Sequence, residues 1–154
     1  MTIENNLLQN NRFRITIGGS NDLKKTSYFM TNLTFPGLTS NAVTSRYRNN
    51  PGFVPSETIE YEALQCTISC DEKLGAYLEI YNWMKNNIAN KKYTTYDITI
   101  EILNSHFNSI KTATFKNAFP TSLSSMEFDV TSGDTSFATF TASFQYDEYY
   151  FDNI

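Results

Sequence analysis

Apolar and polar residues alternate along much of the chain, and this alternation predicts half-buried β-strands. In the first strand, Arg12 to Ile17, the side chains of Phe13, Ile15 and Ile17 share one face. The same period recurs over residues 63–70, 97–102 and 138–146, and a hairpin partner for 97–102 is predicted at about 109–116. Antiparallel strands of this kind are typical of a sheet with one face in water and one face covered.

Two weaker strands and two turns complete the β pattern. We expect a second strand that includes Tyr28, Phe29 and Met30 and stops at Phe35-Pro36-Gly37. Met126 to Val130 alternates and predicts another strand, with a hairpin turn at residues 131–134. Phe119-Pro120-Thr121-Ser122 is interpreted as a turn.

The period changes to that of a helix between Asp71 and Ala89. The apolar residues Leu74, Tyr77, Leu78, Tyr81, Met84 and Ile88 recur at helical spacing there. Asp71 and Glu72 lie where a helix N-terminus favours acidic side chains, and Lys85 lies in the last turns. This is the only helix that the sequence predicts, and its apolar stripe indicates packing against the core.

Residues 38–56 carry no clear period beyond a short strand from about Asn41 to Tyr47. An exposed loop of this length is uncommon in a compact domain without a function. Its polar part contains Arg46, Arg48, Pro51, Gly52, Phe53 and Val54. The loop either folds back on its own subunit or contacts a partner, and we favour the partner contact. Residues 1–10 are expected to form a flexible or partner-docked arm.

One helix with about seven strands makes the chain, residues 1–154, a mainly β domain. The free edges of such a sheet need protection, because an open edge pairs readily with other chains. Closure of small sheets edge to edge between subunits would leave no free edge.

The composition of the chain argues against several functional classes. The chain has 154 residues, 18% of them charged, with a net charge of -4 and an isoelectric point of about 4.9. This charge argues against electrostatic nucleic-acid binding. No apolar run approaches the ~20 residues of a membrane helix, and residues 1–20 lack the pattern of a secretory signal. We therefore expect synthesis in the cytoplasm.

Residue types that support catalysis are sparse. Cys66 and Cys70 lie in a predicted strand about 13 Å apart, too far for a disulfide, and are interpreted as core thiols. His106 is the only histidine. Asp97 and Glu101 share a strand face, but a separation of about 13 Å exceeds that of paired catalytic carboxylates. Since no phosphate-binding, zinc or hydrolase motif occurs, we predict no cofactor, no metal and no enzymatic activity.

The order of these elements resembles that of the tail tube proteins of contractile-tailed phages, whose relatives build type VI secretion and R-type pyocin tubes. Three stretches carry the resemblance: the opening strands that end at Phe35-Pro36-Gly37, the strand and helix from Leu64 to Met84, and the close from Phe119 to Phe151. Together they span nearly the whole chain.

The resemblance implies an antiparallel β-barrel or sandwich-like subunit with one flanking helix. Six subunits would form a ring, and stacked rings would form a tube in the virion tail that conducts DNA during ejection. Two polar strand faces would line the lumen: Asp97, Thr99 and Glu101, and Thr139, Thr141, Ser143 and Gln145. The loop from Arg46 to Val54 would reach the adjacent ring. The implied partners are other copies of the chain, the sheath protein, baseplate and neck proteins, the tape measure protein, and DNA in transit.

The net charge agrees with a conduit whose lumen is polar and acidic, because an acidic wall lined by Thr and Ser would repel DNA phosphates or leave them unbound and would add no friction to passing DNA. Three alternatives remain open at this point. The chain could start or end the tube as a specialised ring, or could form a type VI secretion tube. From a different class, a β-sandwich carbohydrate-binding module also fits the many aromatic residues.

Overall fold

A computed structural model describes residues 6–18, 23–47, 50–89, 93–131, 133 and 136–153. The strands are β1 Phe13–Ile17, β2 Met30–Thr34, β3 Leu38–Thr39, β4 Val43–Tyr47, β5 Asn50–Val54, β6 Glu60–Tyr61, β7 Leu64–Ser69, β8 Tyr96–Leu103, β9 Ser109–Leu123, β10 Thr139–Gln145 and β11 Tyr149–Asn153. The helices are α1 Lys24–Tyr28 and α2 Gly75–Ala89.

The long strand β9 belongs to two antiparallel sheets. Sheet A contains β1, β8, the first part of β9, and β11. Sheet B contains the last part of β9, residues 119–123, followed by β10, β7 and β2. Two short ribbons, β3 with β6 and β4 with β5, lie outside these sheets. The fold is mainly antiparallel β and sandwich-like, and the strands of the described residues do not close into a barrel.

A corner at Asn117 joins the two sheets. β9 pairs with β11 before the corner, with Phe115 opposite Tyr149, and with β10 after it, with Phe119 opposite Gln145. Asn117 has a φ of 54°, a conformation that Asn tolerates better than most residues. Its side chain donates to Asp147 Oδ2 at 2.7 Å, and its backbone N–H donates to Asp97 Oδ1 at 3.1 Å. The corner therefore carries the single strand β9 from sheet A into sheet B.

The apolar faces of both sheets meet in one core. Sheet A contributes Ile15, Ile17, Ile98, Ile100, Ala113 and Phe115, and sheet B contributes Leu64, Cys66, Ile68, Phe140, Ala142 and Phe144. The buried faces predicted for the strands at 63–70, 97–102 and 138–146 are thereby confirmed. Because both apolar faces point inward, the two polar faces point away from the core on different sides.

Helix α2 covers part of this core with Ala76, Ile80 and Trp83. Trp83 packs against Phe144, with ring centroids 6.0 Å apart, and its indole N–H donates to the carbonyl of Thr94 at 2.8 Å. The helix begins a few residues later than predicted, since Leu74 has a φ of 55°. The carboxylate of Asp71 accepts the N–H of Gly75 at its first turn.

The prediction of a strand through Tyr28 and Phe29 is wrong. Residues 24–28 form the short helix α1, and β2 begins only at Met30. Glu79 of α2 explains this, because its Oε2 accepts from the backbone N–H of Thr26 at 2.9 Å and from its hydroxyl at 2.7 Å. A carboxylate that satisfies the free N–H groups at a helix start stabilises the helical conformation.

Two predictions near the end of β9 are also wrong. Phe119 to Ser122 continues the strand instead of turning, with Pro120 opposite Phe144 on the outermost strand of sheet B. Proline is tolerated there because the register of the β9–β10 pair shifts between Ser143 and Phe144, and such an irregularity leaves a ladder position unpaired. Met126 to Val130 is not a strand, and the side chains of Phe128 and Val130 are exposed. Of the predicted turn at 131–134, residues 132 and 134 lie outside the described residues.

Candidate assembly surfaces

The subunit has more surface than a compact protein of its mass. Its accessible surface is 11450 Å², whereas about 7,900 Å² is expected for a compact monomer of this size. Large hydrophobic side chains are exposed at several places on this surface. Three of these places are residues 38–59, residues 128–137 and the outer side of α2. Such exposure is typical of surfaces that a partner covers.

The first of these places is a projecting hairpin, which we call the hairpin arm (residues 38–61). β3 and β6 form its root and β4 and β5 form its outer part. The loop predicted at 38–56 is therefore largely a hairpin, and its second half, β5, is a strand where none was expected. Arg46 pairs with Pro51 and Ser45 with Gly52 in its ladder, while Arg48 lies outside the described residues. Phe53 is 76% exposed and Val54 44% exposed, so neither folds back into the subunit core.

An aromatic cluster fixes the root of the hairpin arm. Tyr61 packs against Tyr146 and Tyr149, with ring centroids 5.9 and 5.4 Å apart, and Phe35 lies 5.4 Å from Tyr149. The hydroxyl of Tyr146 donates to the carbonyl of Glu62 at 2.6 Å. Burial raises the pKa of Tyr146 to about 12, so this donor keeps its proton at neutral pH. The root is thus rigidly attached, although the outer hairpin projects from the subunit.

The second place is the connection between β9 and β10, which we call the end loop (residues 124–138). Its ends are tied down, because Ser124 N–H donates to the carbonyl of Thr141 at 2.8 Å and Cys70 N–H to that of Ala138 at 2.9 Å. Phe128 is nevertheless 74% exposed and Phe137 85% exposed. Sequence analysis did not predict this contact surface, because its alternation indicated a strand covered within the subunit.

The residues predicted to line a lumen fall on two different sheets. Thr139, Thr141, Ser143 and Gln145 lie on the polar face of β10 in sheet B. Their cross-strand neighbours are also uncharged: Thr141 pairs with Thr67, and Ser143 pairs with Gln65 and Ser122. This face therefore offers hydroxyl and amide groups without charge.

The other three, Asp97, Thr99 and Glu101, lie on β8 in sheet A. Here charges are paired across strands: Asp97 with Lys116 at 3.0 Å, and Glu101 with Arg14 at 3.4 Å. The hydrogen bond from Lys116 is the main reason that the pKa of Asp97 is lowered, followed by that from the Asn117 N–H. The structure therefore places Asp97, Thr99 and Glu101 (the β8 set) on a different sheet from the other four residues, Thr139, Thr141, Ser143 and Gln145 (the β10 set).

Replacing Asp97 by Asn is expected to change how stability depends on pH. A carboxyl whose pKa is lowered by folding stabilises the folded state above its unfolded pKa, and this contribution is lost as pH falls through the folded pKa. The unfolding temperature of the wild type should therefore drop more steeply than that of the variant below about pH 4. Parallel thermal melts between pH 7 and pH 3 measure this, and superimposable pH profiles would contradict it.

The two cysteines and His106 could in principle support chemistry, but they lie in surroundings that are typical of structural residues. Both cysteines are free thiols, and burial raises the pKa of Cys66 to about 12. His106 is exposed in a turn, where its backbone N–H donates to Asn104 Oδ1 at 2.9 Å. Among the described residues, no three His, Cys, Asp or Glu side chains are grouped as metal ligands. None of the described helices is long and apolar enough to cross a membrane.

Comparisons with known proteins place this arrangement in context. A family model described as "T4-like virus tail tube protein gp19" matches residues 9–149. No curated protein sequence matches significantly.

Three solved structures illustrate the similarity of the fold. The tube–sheath complex of an extracellular contractile injection system, PVC, in the extended state has a TM-score of 0.74 at 20% identity, with 97% of this chain and 94% of that chain covered. The tube-terminating cap of the anti-feeding prophage has a TM-score of 0.75 at 20% identity, covering 100% and 95%. Hcp1 from Flavobacterium johnsoniae has a TM-score of 0.57 at 15% identity, covering 92% and 94%.

Proposed function

The chain belongs to the family of T4-like virus tail tube proteins, and from that premise we propose that its subunits close into hexameric rings that stack into a tube. The observation that carries the ring is sheet B. Within the described residues, no strand pairs with the outer side of β2, or with residues 119–123 of β9 on the side away from β10. Sheet B thus has two open edges.

The strand directions of sheet B suit cyclic closure. β9, β10, β7 and β2 alternate in direction, since each neighbouring pair is antiparallel. Placing β2 of one subunit beside residues 119–123 of the next continues this alternation without a break. A ring built by rotation about one axis would satisfy every edge in this way and would leave no open edge to aggregate.

We propose that the β10 set lines the bore of this ring. The polar face of sheet B points away from the core and from α2, so ring closure through its edges turns this face either inward or outward. An inward face of Thr, Ser and Gln would expose no cation to DNA phosphates. The β8 set belongs to the opposite polar face, where Arg14 and Lys116 also lie, and would line the bore only if sheet A formed the ring.

The tube is proposed to act in a virion tail, where DNA passes through without specific binding and the tape measure protein occupies the bore before ejection. The sheath would surround the tube, and baseplate and neck proteins would bind its two ends. The role is structural and involves no catalysis or cofactor. A single ring that starts or ends such a tube is the main alternative for a chain with this fold.

Electron microscopy of the concentrated wild-type protein, with mass photometry of dilute samples, tests the assembly. We expect sixfold rings with a central hole and long stacks of these rings. Single rings that never stack would favour the terminal-ring alternative. A species that stays monomeric even when a cognate baseplate is added would contradict the proposal.

Labelling of cysteine variants in the same tubes tests the bore. In a Cys70→Ser background, Thr141→Cys and Thr99→Cys place half-buried thiols on the two polar faces, while the native Cys66 is buried. A maleimide on a long polyethylene glycol chain should label Thr99→Cys in intact tubes and label Thr141→Cys only after dissociation. The opposite result would assign the bore to sheet A.

A further inference from the structure

We infer that the end loop is the receptor for the hairpin arm of a second copy of this chain in the adjacent ring. This inference rests on the proposed function, because it concerns how rings stack. The inference gives the hairpin arm a surface on which to dock. It also gives a role to the end loop, which takes no part in closing the ring. Four observations support it.

The two elements lie at opposite ends of sheet B. The hairpin arm connects the end of β2 to the start of β7, where Thr34 and Gln65 are cross-strand partners. The end loop connects β9 to β10 at the other end, near the Ser69–Thr139 pair. If sheet B closes into a ring, its strands cross the thickness of the ring. The arm then projects from one ring face and the end loop from the other, so that stacking brings them together.

Both elements expose large apolar side chains. On the arm these are Val43, Phe53 and Val54, and on the end loop Phe128, Val130 and Phe137. Fully burying such a side chain is worth about 1.5–3 kcal/mol. A contact between the two would therefore cover two apolar patches that would otherwise remain in water on the tube surface.

Their charges are complementary. The outer ribbon of the arm, residues 43–54, contains two arginines, Arg46 and Arg48, and no acidic residue, while the two acids of the arm, Glu57 and Glu60, lie towards its root. Residues 124–138 contain three acids, Glu127, Asp129 and Asp134, and no basic residue. Asp129 is held in its charged form, since hydrogen bonds from the hydroxyl and N–H of Thr131 lower its pKa. Opposite charges on two facing surfaces favour correct encounter and fix the register of docking.

The end loop also has the sequence pattern of a strand without a partner. Met126 to Val130 alternates like a half-buried strand, yet it pairs with no strand in the described part of the chain. The outer hairpin of the arm is a two-stranded sheet, and such a sheet is marginally stable on its own. A third strand supplied by the neighbouring ring would satisfy both elements through backbone hydrogen bonds.

Cross-linking in assembled tubes tests this contact. Thr44, the cross-strand partner of Phe53, and Ser125 of the end loop are both exposed, and cysteines there leave the apolar contacts intact. In a Cys70→Ser background, a short bis-maleimide should convert the Thr44→Cys/Ser125→Cys variant into a ladder of covalent multimers. A matched control pairs Thr44→Cys with Asn108→Cys, an exposed position in the β8–β9 turn, and should give at least tenfold less multimer.

Charge exchange provides an independent readout. Glu127→Arg should reduce sedimentable tubes at least tenfold while rings persist, and adding Arg46→Glu in the same chain should restore them. Tubes that form normally without the Thr44–Ser125 ladder, or rings that Arg46→Glu fails to rescue, would overturn the receptor assignment and leave the tube function standing. Absence of wild-type rings and tubes even when a cognate baseplate is added would overturn both.

Discussion

Replacing Phe53 by Asp is expected to leave the subunit folded and its rings closed, but to stop the rings from stacking. Phe53 is 76% exposed and lies in a ribbon separate from sheets A and B, so its loss removes nothing from the core. In the stack, the new carboxylate would be buried against the acidic end loop without a partner, which costs several kcal/mol at every contact. Circular dichroism should match the wild type, while electron microscopy should show rings and no tubes.

Two further variants make this result specific. Phe53→Leu keeps an apolar side chain and should retain tubes, whereas Ser45→Asp adds the same charge on β4 with a smaller effect if Phe53 is the anchor. Tubes of normal length from Phe53→Asp would show that the hairpin arm does not mediate stacking.

Replacing Ile100 by Asp is expected to prevent folding altogether. Ile100 is only 1% exposed and lies on the inward face of β8, between Ile15 and Ala113 in the ladder. A carboxylate there has no cation within the core, and an unpaired buried charge costs more than most domains can lose. We expect an insoluble product, or a soluble one without the β-sheet signal in circular dichroism.

The neighbouring residue supplies the matched control. Thr99→Asp adds the same charge to the same strand but on the polar face, where the side chain reaches water. This variant should fold with a small loss of stability. A soluble Ile100→Asp variant with the wild-type spectrum would mean that the two faces of β8 are reversed.

The strands with strong alternation could be predicted from the sequence because their burial repeats with the period of the backbone. Phe140, Ala142 and Phe144 occupy the inward face of β10 as expected, and Ile98 and Ile100 do so on β8. The period of α2 was equally informative, although Leu74 delays its start. In these segments, local pattern and tertiary packing favour the same structure.

The predictions that were wrong depend on contacts distant in sequence. Tyr28 lies in a helix because Glu79, more than fifty residues later, accepts hydrogen bonds at the start of α1. Pro120 is accommodated in a strand because the register of the β9–β10 pair shifts beside it, where it lies opposite Phe144. No local signal distinguishes these cases from an ordinary strand or turn.

For the candidate surfaces too, local sequence indicates some features, and only the tertiary structure shows the others. From the sequence alone, Phe53 and Val54 could be identified as apolar residues in a polar loop, and this was enough to favour a partner contact. The end loop was misinterpreted, since its alternation indicates that Phe128 and Val130 should be covered but not by which chain. Only the structure shows that their own subunit leaves them exposed.

By itself the sequence determined which residues face inward, because alternation at a period of two assigns the sides of a strand without reference to its partners. It also carried the order of elements by which the tube family is recognised. Tertiary structure alone decided how the faces are arranged in space. The corner at Asn117, held by Asp97 and Asp147, separates the polar faces of β8 and β10 onto different sheets. Within the described residues, the pairing of β2, β7, β9 and β10 leaves sheet B with two open edges and sets the hairpin arm and the end loop at its opposite ends, because strand pairing joins residues that the chain keeps far apart.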